Sequence, residues 1–111
     1  MIGPRSNAYA SCKLAIPTAL PAEMRGPVVE LRSLKTRRDK RGKGFAAALL
    51  AEVCEEADRA RRFLFLHCEP EDGIELEQLA NFYIKHGFQP IQAEPVILML
   101  RPFAGAYGRQ Q

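Results

Sequence analysis

The segment Arg41-Gly42-Lys43-Gly44-Phe45-Ala46 places two glycines and two cations between a strand-like run and an amphipathic helical pattern. Glycines at a helix entrance let the backbone come close to a bulky anion. The first N–H groups of the helix have no partner inside it, so they point at that anion, and the helix dipole favours it. The chemistry implied is a phosphate cradle on a strand–turn–helix unit. Charge is focused on the same place. From Arg32 to Lys43, seven basic residues (Arg32, Lys35, Arg37, Arg38, Lys40, Arg41 and Lys43) stand against Asp39 alone. That stretch carries net +6 in a chain of net +3, so the remainder is net −3. Such focusing draws a polyanion, either a cofactor phosphate or a nucleic acid. The alternative is a solvated basic loop.

The 111 residues are enough for one domain with a single modest core. A hydrophobic share of 47% with 26% charged residues is ordinary for a soluble globular protein. No apolar run approaches the roughly 18–20 residues of a membrane helix, and the first twenty residues lack the apolar core of a secretion signal. Cys12, Cys54 and Cys68 have no metal-ligand spacing, and their odd number argues against a disulfide framework. A reducing, cytoplasmic setting without a bound metal is expected.

The elements that must position the cradle follow from the pattern. Residues 1–8 read as a loose start, Tyr9 to Ile16 as a strand, and Pro17 to Pro27, with three prolines, as an irregular connection or a hairpin turn. Val28 to Thr36 reads as a strand and Arg37 to Arg41 as a charged loop. Phe45, Leu49, Val53 and Ala57 recur at helical spacing, which predicts a helix from near Gly42 to Ala60–Arg62. Phe63 to Cys68 has the composition of a buried strand, followed by an acidic turn from Glu69 to Gly73. Leu76, Leu79, Ala80 and Tyr83 share one face of a second helix over Ile74 to His86, with Gly87 as its left-handed cap. Phe88 to Gln92 and Val96 to Phe103 close as a strand pair. The tail from residue 104 to 111 is expected to be flexible. The predicted class is α/β (α+β): a mixed, mostly antiparallel sheet with a central parallel strand–helix–strand crossover. Residues 1–103 form the single domain.

This order, with these residues, resembles the GNAT superfamily of acetyl-CoA-dependent N-acetyltransferases. Arg41-Gly42-Lys43-Gly44-Phe45-Ala46 satisfies the family's glycine signature. Asn81-Phe82-Tyr83-Ile84-Lys85-His86-Gly87-Phe88 looks like its aromatic–Tyr–(three residues)–Gly–Phe helix end. The resemblance covers residues 28–103. It implies an acyl-CoA N-acyltransferase fold with acetyl-CoA as acetyl donor. Leu34, Lys35 and Thr36 would hold the pantetheine arm through their backbone. Amides of Gly42, Lys43, Gly44, Phe45 and Ala46 would hold the pyrophosphate, assisted by the charges of Arg41 and Lys43.

The resemblance also implies that Tyr83 is the general acid, protonating the leaving thiolate. A phenol, with an ordinary pKa of about 10, can do this. The other reading of Tyr83 is a core aromatic with a satisfied hydroxyl. Glu30, at an offset where some members carry a catalytic glutamate, would be the general base. Otherwise it is an exposed strand residue paired with Arg32 or Lys13. Glu69 and His67 are the alternative bases, although a lone histidine on an apolar strand is more often a packed core residue. Cys68 reads as a small buried hydrophobe, with a covalent acetyl-cysteine route as the other option.

The chain departs from the family pattern before Val28. Only 27 residues precede it, and they read as strand and turn where the family has a strand and two helices. The family's asparagine before the tyrosine is not matched either, since Leu76 stands at the commonest offset and Asn81 is too close. The cofactor half is therefore complete and the acceptor half reduced. The acidic set Glu69, Glu71, Asp72, Glu75 and Glu77 points to a cationic amine acceptor, small molecule or protein. A homodimer could restore the missing wall. The competing readings are a non-catalytic acyl-CoA-binding or protein-interaction module, and a nucleic-acid-binding protein using residues 32–43. The last lacks an aromatic platform or reading helix beside its basic run.

Overall fold

The computed structural model describes residues 1–70 and 74–107. Six strands form one sheet: β1 (Gly3–Ser6), β2 (Ala10–Ala15), β3 (Val28–Thr36), β4 (Phe63–Cys68), β5 (Gln89–Gln92) and β6 (Ile97–Arg101). The helices are α1 (Phe45–Ala60) and α2 (Leu76–Ile84). Across the sheet the order is β1-β2-β3-β4-β6-β5. Only β3 and β4 pair in parallel, and they flank α1 in sequence. The other four pairings are antiparallel, including the C-terminal β5–β6 hairpin. This is the predicted mixed class.

The loose start is corrected: Gly3 to Ser6 is an edge strand paired with Leu14 to Ser11. Its four residues carry no apolar alternation, so pairing and long-range contacts fix it. Arg5 reaches Glu56 on α1 at 2.8 Å. Asn7 closes the turn into β2, its Oδ1 accepting the amides of Tyr9 and Ala10 while its Nδ2 donates to the Phe45 carbonyl at 2.9 Å. The 17–27 connection is irregular as expected, apart from a 3-10 turn at Ala22–Met24.

Both helices pack on one face of the sheet. Leu14, Val29, Leu31, Leu64, Leu66 and Met99 join Leu49, Leu50, Val53 and Ala57 of α1, and Tyr83 and Phe88, in one core cluster. Strand side chains alternate between faces. Glu30, Phe65 and His67 therefore project from the opposite face.

The pairing of β3 with β4 covers Val28 to Glu30 against Phe63 to Phe65. Beyond that point β3 continues to Thr36 against β2 and β4 to Cys68 against β6, but not against each other, so the two part and leave a notch in the sheet. A bulge lies at the opening. Between the Ser11–Lys35 and Lys13–Arg32 pairs, Cys12 opposes both Ser33 and Leu34, and Ser33 takes φ 57°. Bulges bend and twist their strand, and one residue drops out of the ladder.

The helix ends are built alike. At the end of α2, Phe88 N–H donates to the Tyr83 carbonyl (3.2 Å) and Gly87 N–H to that of Ile84 (3.0 Å), with Gly87 at φ 93°. This is the left-handed cap expected at Gly87. Arg101 donates to the His86 carbonyl at 2.8 Å and pairs with Asp58, stapling α2 to α1 and β6. At the end of α1 the same bonds run from Arg62 to Ala57 (2.9 Å) and from Arg61 to Asp58 (3.2 Å), but the left-handed residue is Arg61, at φ 54°. An L side chain there costs about 1–2 kcal/mol relative to glycine. Arg61→Gly should therefore stabilise the protein by about 1 kcal/mol in urea unfolding. An unchanged or lowered midpoint would contradict this reading of the cap.

Candidate active site

The notch holds two adjoining clefts. The first, of about 310 Å³, is lined by Leu34, Lys35 and Thr36 of β3, by Arg41, Gly42 and Ala46 at the entrance of α1, and by Gln78, Phe82 and Tyr83 of α2. The second, of about 380 Å³, is lined by Glu30, Arg32, Ser33, His67 and Glu69, among others. Leu34, Ile74, Leu79 and Tyr83 line both.

Backbone conformation explains the cradle. Gly42 and Gly44 sit at φ 78° and 84°, a region L side chains rarely adopt. A Cβ built on either would meet nothing within 4 Å, so the space above them is open to a ligand. Gly44 caps α1, its carbonyl accepting the Ala48 amide at 2.9 Å. The amides of Phe45, Ala46 and Ala47 precede that first bond and carry the positive end of the helix dipole. No acidic residue lies in the first turn to repel an anion. This arrangement fits a diphosphate.

Of the residues assigned to the cofactor, Leu34, Lys35, Thr36, Arg41, Gly42 and Ala46 line the first cleft. Lys43 is exposed beside it. Phe45 offers only its backbone, because its ring packs against Tyr9 with centroids 4.6 Å apart. Tyr9 carries no motif, and sequence alone did not single it out. Arg37 and Lys40 lie over its ring at 4.9 and 4.8 Å, and its carbonyl accepts the Arg37 amide at 2.7 Å. It thereby ties the basic loop to the start of β2. An aromatic ring does accompany the basic run, but the two cations occupy its faces.

Tyr83 is buried at 8% exposure and belongs to the core cluster, yet it lines both clefts. Its ring lies edge-on to Phe82 (5.3 Å) and Phe88 (5.5 Å). The Phe88 contact is the apolar clasp that accompanies this kind of helix cap. The Tyr–(three residues)–Gly–Phe spacing thus has a physical reason: it closes the cap and fixes the tyrosine ring at the cleft.

Glu30 is 4% exposed, not the exposed strand residue of the alternative reading. Its Oε1 accepts Nη2 of Arg32 at 3.1 Å, and Nε of the same guanidinium pairs with Oε2 at 3.1 Å. His67 Nδ1 stands 3.5 Å from its Oε2. His67 is not a packed core histidine, since its side chain is 34% exposed at the cleft. Cys68 is a buried free thiol whose pKa is raised by burial, so thiolate chemistry is disfavoured there. Of the acidic set, Glu69 lines the second cleft. Glu75 caps α2 and Glu77 lies in its first turn, where both suit the helix dipole. Glu71 and Asp72 lie outside the described residues, as do the last four residues of the tail. Tyr107, just before these, lies edge-on to Phe63 at 6.4 Å. No helix among the described residues is long and apolar enough to cross a membrane.

No protein-family model matches the chain, and no curated protein gives a significant match. Solved structures do match. The ribosomal-protein-S18-alanine N-acetyltransferase from Escherichia coli is similar with TM-score 0.66 and 16% identity, over 89% of this chain and 65% of that enzyme. The anti-CRISPR protein AcrVA5 is similar with TM-score 0.66 and 16% identity, over 88% of this chain and 98% of that one. N-acetylglutamate synthase from Neisseria gonorrhoeae, solved with coenzyme A and L-arginine, matches with TM-score 0.59 and 17% identity, over 86% of this chain and 22% of that one. The chain thus spans less than two thirds of the length of either enzyme. With a six-stranded mixed sheet, a single parallel pair around α1 and these structural neighbours, the chain has the GNAT acyl-CoA N-acyltransferase fold.

Proposed function

We propose that the chain is an N-acetyltransferase that moves an acetyl group from acetyl-CoA to an amine by direct attack. One observation carries the reading: the glycine turn before α1 and a buried tyrosine meet a carboxylate–histidine pair at one notch in the sheet. Gly42, Gly44 and the first amides of α1 would hold the pyrophosphate, with Arg41 and Lys43 adding charge. Leu34, Lys35 and Thr36 would hold the pantetheine arm. Acetyl-CoA supplies the activated acetyl thioester. The bulge at Ser33 and Leu34 offers a strand amide to the oxyanion. Tyr83 would give its proton to the leaving sulfur. The Glu30 cluster on the opposite face would take one from the acceptor ammonium.

With Glu30 balanced by Arg32, Glu69 leaves the second cleft net acidic, which favours a cationic acceptor such as a lysine side chain, an N-terminus or a polyamine. The setting proposed is the cytoplasm, in keeping with three free thiols. Acetyl-CoA should yield free thiol with spermidine or lysine amide faster than with acidic amines such as glutamate. Preference for the acidic acceptors would overturn the acceptor class. The second reading is a module that binds acyl-CoA without turnover. It is favoured by the departure from the family pattern before β3, where the described residues form two strands and a 3-10 turn.

A further inference from the structure

We infer that His67 is the general base of this site and that Glu30 is its positioning residue. The inference rests on the acetyl-transfer reading above and assigns roles within it. Glu30 is poorly placed to touch an acceptor: its side chain is 6% exposed, and both oxygens are engaged by the Arg32 guanidinium. His67 lines the same cleft with a third of its side chain open. Its ring has two neighbours. Phe65 lies edge-on at 5.4 Å, and Nδ1 faces the Glu30 carboxylate at 3.5 Å. A proton held on Nδ1 by a carboxylate leaves the lone pair on Nε2, the free nitrogen of the ring. The spacing is long for a hydrogen bond, and catalytic contacts often tighten only when substrate binds. Among the described residues, the charged and titratable groups that line the cleft with His67 are Glu30 and Arg32 of β3, Glu69 after β4 and Tyr83 of α2. From β6 the residue in register with His67 is Leu98, which carries no charge.

The proton path then balances. Nε2 takes one proton from the acceptor ammonium, and Glu30 stabilises the resulting imidazolium. The neutral amine attacks the thioester carbonyl and the C–N bond forms. The C–S bond breaks with its electron pair on sulfur, and sulfur takes the Tyr83 proton. The tyrosinate recovers a proton from the new N–C nitrogen, leaving a neutral amide. His67 returns its proton to solvent, so one proton is released per acetyl group moved. The arrangement puts the acid on the helix face of the sheet and the base on the other, with the notch between them.

The test has two arms. In nitrogen-15 spectra of the free protein, neutral His67 should carry its proton on Nδ1, and Glu30→Gln should remove that bias. In turnover of acetyl-CoA with spermidine, His67→Gln should lower kcat/KM by roughly 10²–10⁴. Added imidazole should restore part of the activity of His67→Gly, while Tyr83→Phe should gain nothing. Turnover by His67→Gln within about threefold of wild type would overturn the assignment but leave the acetyl-transfer reading standing. So would a Glu30→Gln loss larger than that of His67→Gln with the histidine tautomer unchanged. Wild type that binds acetyl-CoA yet acetylates neither spermidine nor lysine amide would overturn the acetyl-transfer reading, and this assignment with it.

Discussion

Tyr83→Phe is expected to bind acetyl-CoA within about threefold of wild type and to lose roughly 10²–10⁴ in kcat, the usual contribution of a positioned acid. The substitution removes one oxygen and keeps the ring. That ring lies edge-on to Phe82 and Phe88 and belongs to the core cluster. The cap bonds from Phe88 and Gly87 run to backbone carbonyls. The protein should therefore stay folded while chemistry suffers. Thiol release measured beside calorimetric binding separates the two. A kcat within about threefold of wild type would make Tyr83 a core residue only.

Gly44→Trp should lower acetyl-CoA affinity by at least about 100-fold while the protein stays folded. Two effects act together. At φ 84° an L side chain is strained by about 1–2 kcal/mol. The space above the Cα is open, so the indole collides with no protein atom near its Cβ and instead fills the place of the anion. Gly44→Ala shares the strain without the bulk and should lose far less. Calorimetry on both variants, with circular dichroism to show that they fold, makes the comparison. Equal affinity in Gly44→Trp and wild type would remove the cradle from the account.

The parts legible in the sequence are those set by local backbone chemistry. Gly42 and Gly44 declare their left-handed conformations, and Gly87-Phe88 closes the cap on Tyr83 within a few residues. The apolar periodicity of α1 is strong enough to place it to within a turn. What could not be read is fixed by distant partners. β1 has no apolar alternation and exists because Leu14 to Ser11 pair with it. Glu30 reads as a general base or as an exposed strand residue, and its burial beside β4 and Arg32 shows only in the fold. His67 reads as an alternative base or a packed core residue, and the parting of β3 and β4 opens its side chain to the cleft. Tyr9 matters because Arg37, Lys40 and Phe45 converge on it across the fold. The bulge at Ser33 has no glycine to announce it. It is the feature that bends β3 where the notch begins.

The central claim is that this notch binds acetyl-CoA, and calorimetric titration of the wild-type chain with acetyl-CoA and desulfo-CoA tests it most directly. The account predicts saturable one-to-one binding of both, since the cradle would read the diphosphate and the strand the pantetheine arm. A folded protein that binds neither would contradict the account and leave the basic loop around Tyr9 as the surface to explain.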